Sequence, residues 1–320
     1  LGLDTDRNVL VGMSDGILQD MTNSTPEGWV NVKDFGAKGD GVTDNTTAIQ
    51  NAIDSNKNIY FPNGDYLISG QIKIPSFTTI LGESQDTKLI LGHSIYFLYK
   101  NFITIKNLTI TSPNFSKTSR SDTPYKIICN QSNNIYIDSV YFKNINGTSV
   151  WAYASKNVRI RNCKFHNAGL TYIYAYSVTG LCENNELTSD VDFENDFYFL
   201  QTGSSKINYY NNFSNNCAIG STCTWTSGTF GISYRLIGGE ATLIGNFDSN
   251  PRYSNLLLGQ GQYDSKVIGN HFNSINSHCF WIEGSGVSHH ILSNNIFENG
   301  GFHAGTGGGD TLIITNNLFK

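Results

Sequence analysis

Residues 243–247 read Leu-Ile-Gly-Asn-Phe, and this phrase of a short apolar run, asparagine and an apolar residue returns through most of the chain. Copies run over 267–272, 291–297 and 312–319, and earlier over 103–110, 135–142, 158–165, 181–187 and 207–213. The closing apolar residues are Ile110, Phe142, Phe165, Leu187, Phe213, Phe247, Phe272, Phe297 and Phe319. Their spacings are 32, 23, 22, 26, 34, 25, 25 and 22. A period of 22 to 26 residues with two longer exceptions predicts a repeat architecture.

The composition of each phrase indicates which repeat this is. The phrases alternate or run apolar over a few residues, are rich in Ile, Val, Phe and Tyr, and are bounded by Asn, Gly and Ser, which predicts β-strands. The units are too short for propeller blades of about 40 residues. Strands stacked in parallel, one set per turn, predict a β-solenoid of about nine to eleven coils. The recurring Asn suits both a left-handed turn and hydrogen bonding between stacked side chains.

The N-terminal part predicts a cap for the solenoid. A Gly-rich turn leads into a short helix at about 45–55, with Asp44 or Asn45 as its N-cap and one apolar face. We expect this helix to cover the first coil, because an open solenoid end exposes apolar side chains and unpaired edges. Residues 1–30 show no clear period and are interpreted as a neck or linker. Residues 31–320 are interpreted as the parallel β-helix domain, and we expect both ends to be cuts within a longer protein.

One stretch resembles a known family. Residues 32–53, VKDFGAKGDGVTDNTTAIQNAI, followed by IYFPNGDY at 59–66, are similar to the opening of the pectate-lyase-like superfamily of right-handed parallel β-helices. The similarity is strongest to the branch found in bacteriophage tail spikes and appendages, and residues 1–10 resemble the segment that precedes such helices. The resemblance implies an all-β right-handed parallel β-helix. It also implies a homotrimeric spike of the virion tail, in contact with other tail proteins, that binds and often cleaves a cell-surface polysaccharide.

The resemblance brings no catalytic motif with it. The Asn-x-Asp, Asp-Asp, Gly-His-Gly and Arg-x-Lys set of polygalacturonases is absent, as is the Arg-rich segment of calcium-dependent pectate lyases. Candidate residues must therefore come from the expected geometry of the repeat.

Composition excludes several classes of partner. The 320 residues carry 21 Lys and Arg against 26 Asp and Glu, for a net charge of −5, which argues against a nucleic-acid partner. No apolar run is long enough to span a membrane, and no signal-peptide pattern opens the chain. We expect no cofactor. The six cysteines are predicted to be free thiols, mostly buried, although Cys217 and Cys223 could close a small loop.

Two acids are predicted to stack in neighbouring coils. Glu240 and Asp264 each lie six residues before the recurring asparagine, Asn246 and Asn270. Parallel stacking would place them about 4.8 Å apart, close to the roughly 5 Å between the carboxyl groups of retaining glycosidases. Their repulsion would raise the pKa of one of them, as a general acid requires. The alternative is two solvated turn residues.

Further acids are candidates on weaker grounds. The run 190–196 contains Asp190, Asp192, Glu194 and Asp196 on a loop longer than the coil requires. It could be a solvated loop, a catalytic carboxylate cluster or a calcium site, since hard cations take several carboxylate oxygens. Glu283 closes the strand 279–282, near register with Gln201 and Gln260, and is either a surface residue or part of a site.

Aromatic residues give the better indication of a binding surface. They fall in the second strand of successive coils: Trp151, Tyr153, Tyr172, Tyr174, Tyr176, Tyr198, Tyr234 and Trp281. Alternate residues of a strand share a face, so Tyr172, Tyr174 and Tyr176 are predicted to project together. If the stripe faces inward it belongs to the core. If it faces outward, as we predict, it is suited to contact sugar rings.

The resemblance implies a phage spike that recognises and cleaves a host glycan, and the sequence offers Asp192, Glu194, Asp196, Glu240, Asp264 and Glu283 as the acids from which its paired carboxylates would be chosen. Richness in Asn, Lys, Ile and Tyr is compatible with a low-GC Gram-positive host, and thus with wall teichoic acid or a capsule. One alternative is an adhesin that binds without cleaving. Another is a polysaccharide lyase, for which Arg235 and Arg252 near Tyr234 and Tyr253 are candidates.

Overall fold

The computed structural model describes the backbone of residues 2–4, 9–14 and 17–20, and then residues 25–115, 125–190, 197–215, 232–249, 251, 254–259, 262–274, 278–283, 288–305 and 311–320. The first three ranges form an antiparallel sheet of β1 (Gly2–Asp4), β2 (Val9–Ser14) and β3 (Ile17–Asp20). The next elements form the N-terminal end of the solenoid: β4 (Val30–Asn31), the 3-10 helix η1 (Val32–Phe35), β5 (Asp40–Asp44) and α1 (Thr46–Ser55).

All later elements in the described ranges are strands. In the N-terminal half they are β6 (Asn58–Phe61), β7 (Gly64–Ile68), β8 (Ile72–Lys73), β9 (Thr79–Gly82), β10 (Thr87–Leu91), β11 (Ile95–Leu98), β12 (Asn101–Thr111), β13 (Ile127–Asn130), β14 (Asn133–Ile145), β15 (Val150–Tyr153), β16 (Lys156–Arg161) and β17 (Lys164–Ala168). The next ones are β18 (Thr171–Tyr176), β19 (Thr179–Glu183), β20 (Glu186–Thr188), β21 (Phe197–Thr202), β22 (Lys206–Tyr210), β23 (Phe213–Asn215), β24 (Ile232–Leu236), β25 (Gly239–Ile244) and β26 (Phe247–Ser249). The last are β27 (Ser254–Leu258), β28 (Gln262–Ile268), β29 (His271–Asn273), β30 (His278–Glu283), β31 (His289–Ser293), β32 (Ile296–Glu298), β33 (Gly301–Gly305), β34 (Thr311–Thr315) and β35 (Leu318–Phe319).

These strands form a right-handed parallel β-helix of about nine turns, which confirms the predicted fold. One coil consists of β25, β26 and β27, and each strand pairs in parallel with its equivalent in the next coil. One strand of each coil belongs to a ten-stranded sheet of β8, β11, β13, β15, β18, β21, β24, β27, β30 and β33, and the remaining strands from β4 onward form a larger sheet of 22 strands. Among the described residues, no helix is long and apolar enough to cross a membrane.

The predicted cap is present and covers the first coil. Ile49, Ala52 and Ile53 of α1 are buried against the core, as the apolar face predicts. Of the two predicted N-cap residues of α1, Asp44 is the one whose side chain hydrogen-bonds the helix: its Oδ1 accepts from the Thr46 amide at 3.0 Å. The Asn45 side chain instead accepts from the Lys38 amide at 2.7 Å, so it fixes the preceding Gly-rich turn.

Two adjacent asparagines with different roles shape four of the later turns, at 184–185, 211–212, 294–295 and 316–317, while Gly245 and Gly269 take the first position before Asn246 and Asn270. The first lies in the left-handed region, as with Asn294 at φ 56°, a conformation that Asn tolerates. The second is buried, and its side-chain NH2 donates to the Oδ1 of the next coil at 2.8 to 3.0 Å. This continuous column is Asn185, Asn212, Asn246, Asn270, Asn295 and Asn317. The repeat therefore uses Asn both for its backbone freedom and for a side-chain ladder.

The core column corrects the sequence alignment at two coils. Each buried Asn is followed one residue later by an outward side chain and two residues later by an inward one. Phe213 and Phe247 consequently face outward and stack at 5.4 Å, whereas Ser214 and Asp248 occupy the core positions. The aligned core column is Ile110, Phe142, Phe165, Leu187, Ser214, Asp248, Phe272, Phe297 and Phe319.

Candidate functional site

The outer face of the ten-stranded sheet carries two columns of outward side chains in register along the rod. The first column is Lys73, Tyr96, Ile128, Trp151, Tyr174, Leu200, Arg235, Leu257, Trp281 and His303. The second begins with Leu98, Asn130, Tyr153, Tyr176 and Thr202. Because neighbouring positions are one coil apart, about 4.8 Å, each column is a continuous ridge of side chains.

Five aromatic residues meet on this face and form what we call the aromatic patch: Tyr125, Trp151, Tyr153, Tyr174 and Tyr176. The Tyr125 ring stacks on Trp151 at 4.7 Å, and Tyr153 stacks on Tyr176 at 5.1 Å. Trp151 and Tyr153 are neighbours at 5.6 Å, which joins the two stacks. Burial, and secondarily the nearby Tyr174 hydroxyl, raises the pKa of Tyr125. The patch therefore combines apolar ring surface with clustered hydroxyl groups.

Three members of the predicted aromatic stripe lie in the core instead. Tyr172, Tyr198 and Tyr234 are buried, and Tyr172 stacks on Tyr198 at 4.7 Å. The prediction that Tyr172 projects with Tyr174 and Tyr176 was wrong, because the first three residues of β18, 171–173, are all buried and the inside–outside alternation begins only after them. The Tyr172 hydroxyl donates to the Thr188 carbonyl at 2.7 Å. These three rings are thus unavailable to an external ligand.

The last member of the stripe, Trp281, faces outward but lies in a small apolar cluster separate from the main core. It packs with Leu200 against the buried Ile232 and Leu257. Its ring lies 4.7 Å from that of His303. Trp281 is therefore partly covered by its own neighbours, unlike Tyr176, whose side chain is 39% exposed.

Glu240 and Asp264 are paired in register on adjacent strands of the larger sheet, as the repeat spacing predicts. Each also has a basic neighbour on its far side. Lys206 Nζ bonds Glu240 at 2.5 Å, and His289 Nδ1 lies 3.3 Å from Asp264. When His289 is protonated, the two negative charges are bracketed by positive ones, so cationic neighbours offset their mutual repulsion. Their catalytic role stays a prediction.

The remaining acidic candidates are only partly described. Asp192, Glu194 and Asp196 lie outside the described residues, and so does most of the predicted calcium site. Asp190 is exposed, its amide bonds the Asn167 side chain, and its carboxylate lies 3.8 Å from His166. The backbone of Glu283 ends β30, and Gln201 is in the column of Ile282, one residue away from the predicted alignment.

Several other sequence predictions can be placed. Cys129, Cys163, Cys182 and Cys279 are buried free thiols, while the possible pair Cys217 and Cys223 lies outside the described residues. Arg252 and Tyr253 also lie outside the described residues. Tyr234 is buried, so this tyrosine cannot act as the base of a lyase at the surface. In the part of the chain that the structure describes, no group of three His, Cys, Asp or Glu side chains could hold a metal.

The structure reveals exposed aromatic residues that the sequence reasoning missed. Phe77, Tyr99 and Phe102 are 63%, 67% and 49% exposed and adopt φ values of 66°, 54° and 57°. In the next two coils, Asn134 and Asn157 occupy the column of Phe77 and Phe102, with their side chains hydrogen-bonded at 2.7 Å. A left-handed conformation costs a bulky residue more than it costs Asn. The exposed Phe pair, stacked at 5.2 Å, therefore departs from what turn geometry alone would select.

Comparisons with known proteins agree with this architecture. A 92-residue stretch is 36% identical to the pre-neck appendage protein of Bacillus phage phi29, covering 27% of this chain and 11% of that protein. The tailspike protein of Acinetobacter baumannii phage AM24 has the same fold, with a TM-score of 0.66, 15% identity, and coverage of 100% of this chain and 58% of that one. The A-module of mannuronan C-5 epimerase AlgE6 from Azotobacter vinelandii superposes with a TM-score of 0.56 at 18% identity, covering 90% and 98% of the two chains.

This match spans about a quarter of the chain and about a tenth of the appendage protein. A broader match comes from a family model described as rhamnogalacturonase A/epimerase, pectate lyase-like, which covers residues 29–242. That range contains the capping helix, the aromatic patch and more than half of the chain. The chain belongs to the rhamnogalacturonase A/epimerase, pectate lyase-like family of parallel β-helix proteins.

Proposed function

We propose that this chain is the β-helix domain of a bacteriophage tail spike or appendage protein that binds a host cell-surface polysaccharide on the outer face of its ten-stranded sheet. The observation that carries this proposal is the aromatic patch, which places Trp151 and four tyrosines on one outward surface. Ring edges and hydroxyls together suit a ligand with alternating C–H and hydroxyl groups, as a sugar chain has.

The comparisons support the setting of this proposal. The similar proteins include a phage pre-neck appendage protein and a phage tailspike, which favours a place on a virion tail beside other tail proteins. An epimerase of mannuronan shares the fold, which favours a polysaccharide as the ligand. A capsule or wall teichoic acid of a Gram-positive host remains our preferred glycan, and a homotrimer our preferred assembly. Sedimentation of the purified protein as a monomer would remove the trimer from the proposal.

Cleavage of the glycan by paired carboxylates is the proposed chemistry. Adjacent coils hold Glu240 and Asp264 about 4.8 Å apart at the backbone, near the carboxyl separation of retaining glycosidases. A hydrolase acting through these residues needs one protonated and one ionised carboxyl group. The candidate set also keeps the acids whose side chains lie outside the described part of the structure, namely Asp192, Glu194, Asp196 and Glu283.

A purely binding protein is the second candidate, and one observation favours it. Glu240 and Asp264 lie on the larger sheet, whereas the aromatic patch lies on the ten-stranded sheet. Lys206 and His289 also give the two acids a plain electrostatic role in holding neighbouring coils together. In that case the glycan would be retained along the aromatic patch without being cut.

The deciding experiment incubates the purified protein with cell walls and capsules from candidate Gram-positive hosts and analyses released fragments by mass spectrometry. New reducing ends or freed phosphate support the hydrolase, and products with an unsaturated uronate that absorbs in the ultraviolet support a lyase. Glu240→Gln and Asp264→Asn should then abolish release while binding survives. Binding without release by the unmodified protein would establish the adhesin, and failure to bind any wall or capsule would refute the proposal.

A further inference from the structure

A cavity of about 400 Å³ opens beside the N-terminal end of the same outward face. Its lining is Asp54, Lys73, Ile74, Pro75, Tyr96, Leu98 and Lys100. This volume lies in the range of small-molecule sites, about 300–1,000 Å³. The lining is partly apolar and partly charged. Its apolar surface comes from Ile74, Pro75, Leu98 and the Tyr96 ring, and its charged groups are Asp54, Lys73 and Lys100.

The cavity lining carries more positive than negative charge, with two lysines and one aspartate. Among the described residues, neither Lys73 nor Lys100 lies within ion-pair distance of a carboxylate, although other lysines on the surface do, such as Lys88 with Asp65. Asp54 is engaged on one side, since its Oδ1 accepts a 2.9 Å hydrogen bond from Gln50. The cavity thus offers two ammonium groups without an ionic partner and a single carboxylate.

The capping helix holds this cavity in shape. Gln50 of α1 exchanges two hydrogen bonds with the backbone of Lys73, donating to its carbonyl at 3.0 Å and accepting from its amide at 2.9 Å. Asp54, one helical turn after Gln50, also lines the cavity. The helix that covers the first coil is therefore also part of the cavity wall, so the site is preformed on a rigid element.

The position of the cavity relates it to the aromatic patch. Lys73 and Tyr96 begin the outward column that continues through Ile128 to Trp151 and Tyr174. Tyr96 and Trp151 are two coils apart, about 10 Å at the usual strand spacing. A chain of a few sugar residues lying along this column would reach from the patch into the cavity.

We infer that the cavity is a subsite for an acidic sugar residue, one that carries a carboxylate or a phosphate group. The acid would lie toward Lys73 and Lys100, which donate charge-assisted hydrogen bonds, and the sugar hydroxyls toward Asp54, which accepts them. The apolar lining would contact the C–H face of the ring. This inference rests on the proposed glycan binding, and it specifies that the glycan is anionic.

Saturation-transfer NMR with monosaccharides tests the subsite separately from the polymer. The probes are glucuronic acid, glucose 1-phosphate and neutral glucose, so that the carboxylate and the phosphate are distinguished. We expect at least one acidic sugar to bind in a salt-sensitive manner and glucose to bind at least fivefold more weakly. The double variant Lys73→Gln/Lys100→Gln should lose this binding. The double variant Lys106→Gln/Lys143→Gln, which removes two positive charges from the larger sheet, should keep it.

Trp151→Ala separates failure of the subsite from failure of the glycan proposal. It should weaken binding to intact walls or capsules and leave the acidic monosaccharides bound. Equal binding of glucose and the acidic sugars, or unchanged binding in Lys73→Gln/Lys100→Gln, would overturn the subsite even if wall binding persists. Absence of wall binding by the unmodified protein would instead refute the glycan proposal on which the subsite depends.

Discussion

The Ser214 hydroxyl donates a 2.6 Å hydrogen bond to the Asp248 carboxylate inside the β-helix, at two successive positions of a column otherwise filled by apolar side chains. Asp248 Oδ1 also accepts from Ser233 at 2.9 Å, and its Oδ2 accepts from Asn255 at 2.6 Å. Burial raises the pKa of Asp248 to about 7, although these hydrogen bonds favour the charged form and oppose the rise.

This carboxyl group predicts a loss of stability as the pH rises. Its pKa is about 7 in the folded protein and has an ordinary value of 3.8 when unfolded. Above about pH 4 the unfolded chain releases the proton that the folded chain retains, so stability falls until about pH 7 and then levels off. The loss between pH 5 and pH 8 through Asp248 is expected to be roughly 2 to 3 kcal/mol.

Asp248→Asn should remove that component, because an amide does not titrate. Urea unfolding at pH 5 and pH 8 gives the change in unfolding free energy between the two pH values for each protein. The amount by which this change is larger in the unmodified protein than in the variant is the contribution of Asp248. Asp86→Asn, which changes an exposed acid away from any histidine ion pair, serves as the control and should leave the pH dependence nearly unchanged. A stability profile for Asp248→Asn parallel to that of the unmodified protein would contradict the raised pKa.

Two adjacent asparagines, Asn294 and Asn295, give a second prediction because they perform different tasks. Asn295 is buried, accepts from both nitrogens of Asn270 at 2.9 and 3.0 Å, and donates to the Val267 carbonyl at 2.7 Å. Asn295→Ala would leave these buried groups without hydrogen-bond partners, and we expect it to lower the free energy of unfolding by roughly 2 to 4 kcal/mol. Asn294 is exposed with φ 56°, so Asn294→Gly should change stability by only a few tenths of a kcal/mol.

Chemical denaturation of both variants under one set of conditions measures this contrast. The unfolding midpoint should drop for Asn295→Ala and stay close to that of the unmodified protein for Asn294→Gly. Comparable losses for the two variants would mean that the ladder of buried side chains contributes no more than the turn conformation does.

The same two asparagines show how much of the fold the sequence predicts. The sequence predicts the 22-to-26-residue period, the strands and the recurring Asn because each coil needs the same apolar strand positions and the same turn residue. The core positions of Ser214 and Asp248 were not, because Phe213 and Phe247 one residue earlier fit the apolar pattern better. In a strand, a shift of one residue exchanges the inside for the outside, and hydrophobicity alone cannot fix that choice at two atypical coils.

The candidate site was predictable to a similar extent. Alternation along a strand correctly orients Tyr174 and Tyr176, but it fails for Tyr172, which lies among three consecutive buried residues at the start of β18. Tyr125 was missed because it precedes its strand and reaches the patch only by stacking on Trp151. The cavity near Tyr96 was beyond sequence reasoning, since its wall combines α1 with two coils whose distance depends on tertiary packing.

Glycan binding should depend on the outward aromatic residues and not on the buried ones. Trp151→Ala removes the ring that joins the two stacks of the patch, so we expect wall or capsule binding to weaken tenfold or more. Tyr234→Phe alters a buried ring and should leave binding unchanged. Binding isotherms on isolated walls, with thermal unfolding to verify that each variant is folded, provide the measurement. Weaker binding in both variants would point to an indirect effect of the fold.

Lys126 gives a prediction with the opposite dependence on pH from that of Asp248. Its side chain is buried, with Nζ donating to the Leu91 carbonyl at 2.8 Å, and burial lowers its pKa from 10.5 to about 8. Below pH 8 the folded protein holds a buried charge at full cost. Between about pH 8 and 10.5 the folded state has released its proton while the unfolded state retains it, so this cost is progressively relieved.

Lys126→Met should therefore stabilise the protein most at neutral pH. The expected gain from removing the charge is about 3 kcal/mol at pH 7 and about 1 kcal/mol at pH 10, before the loss of the Leu91 hydrogen bond, which applies at both values. Denaturation midpoints of the variant and the unmodified protein at the two pH values test this difference. Lys106→Met, a partly exposed lysine of the larger sheet, should show no such change. A pH-independent effect of Lys126→Met would show that the amine is solvated in the folded protein and keeps its ordinary pKa.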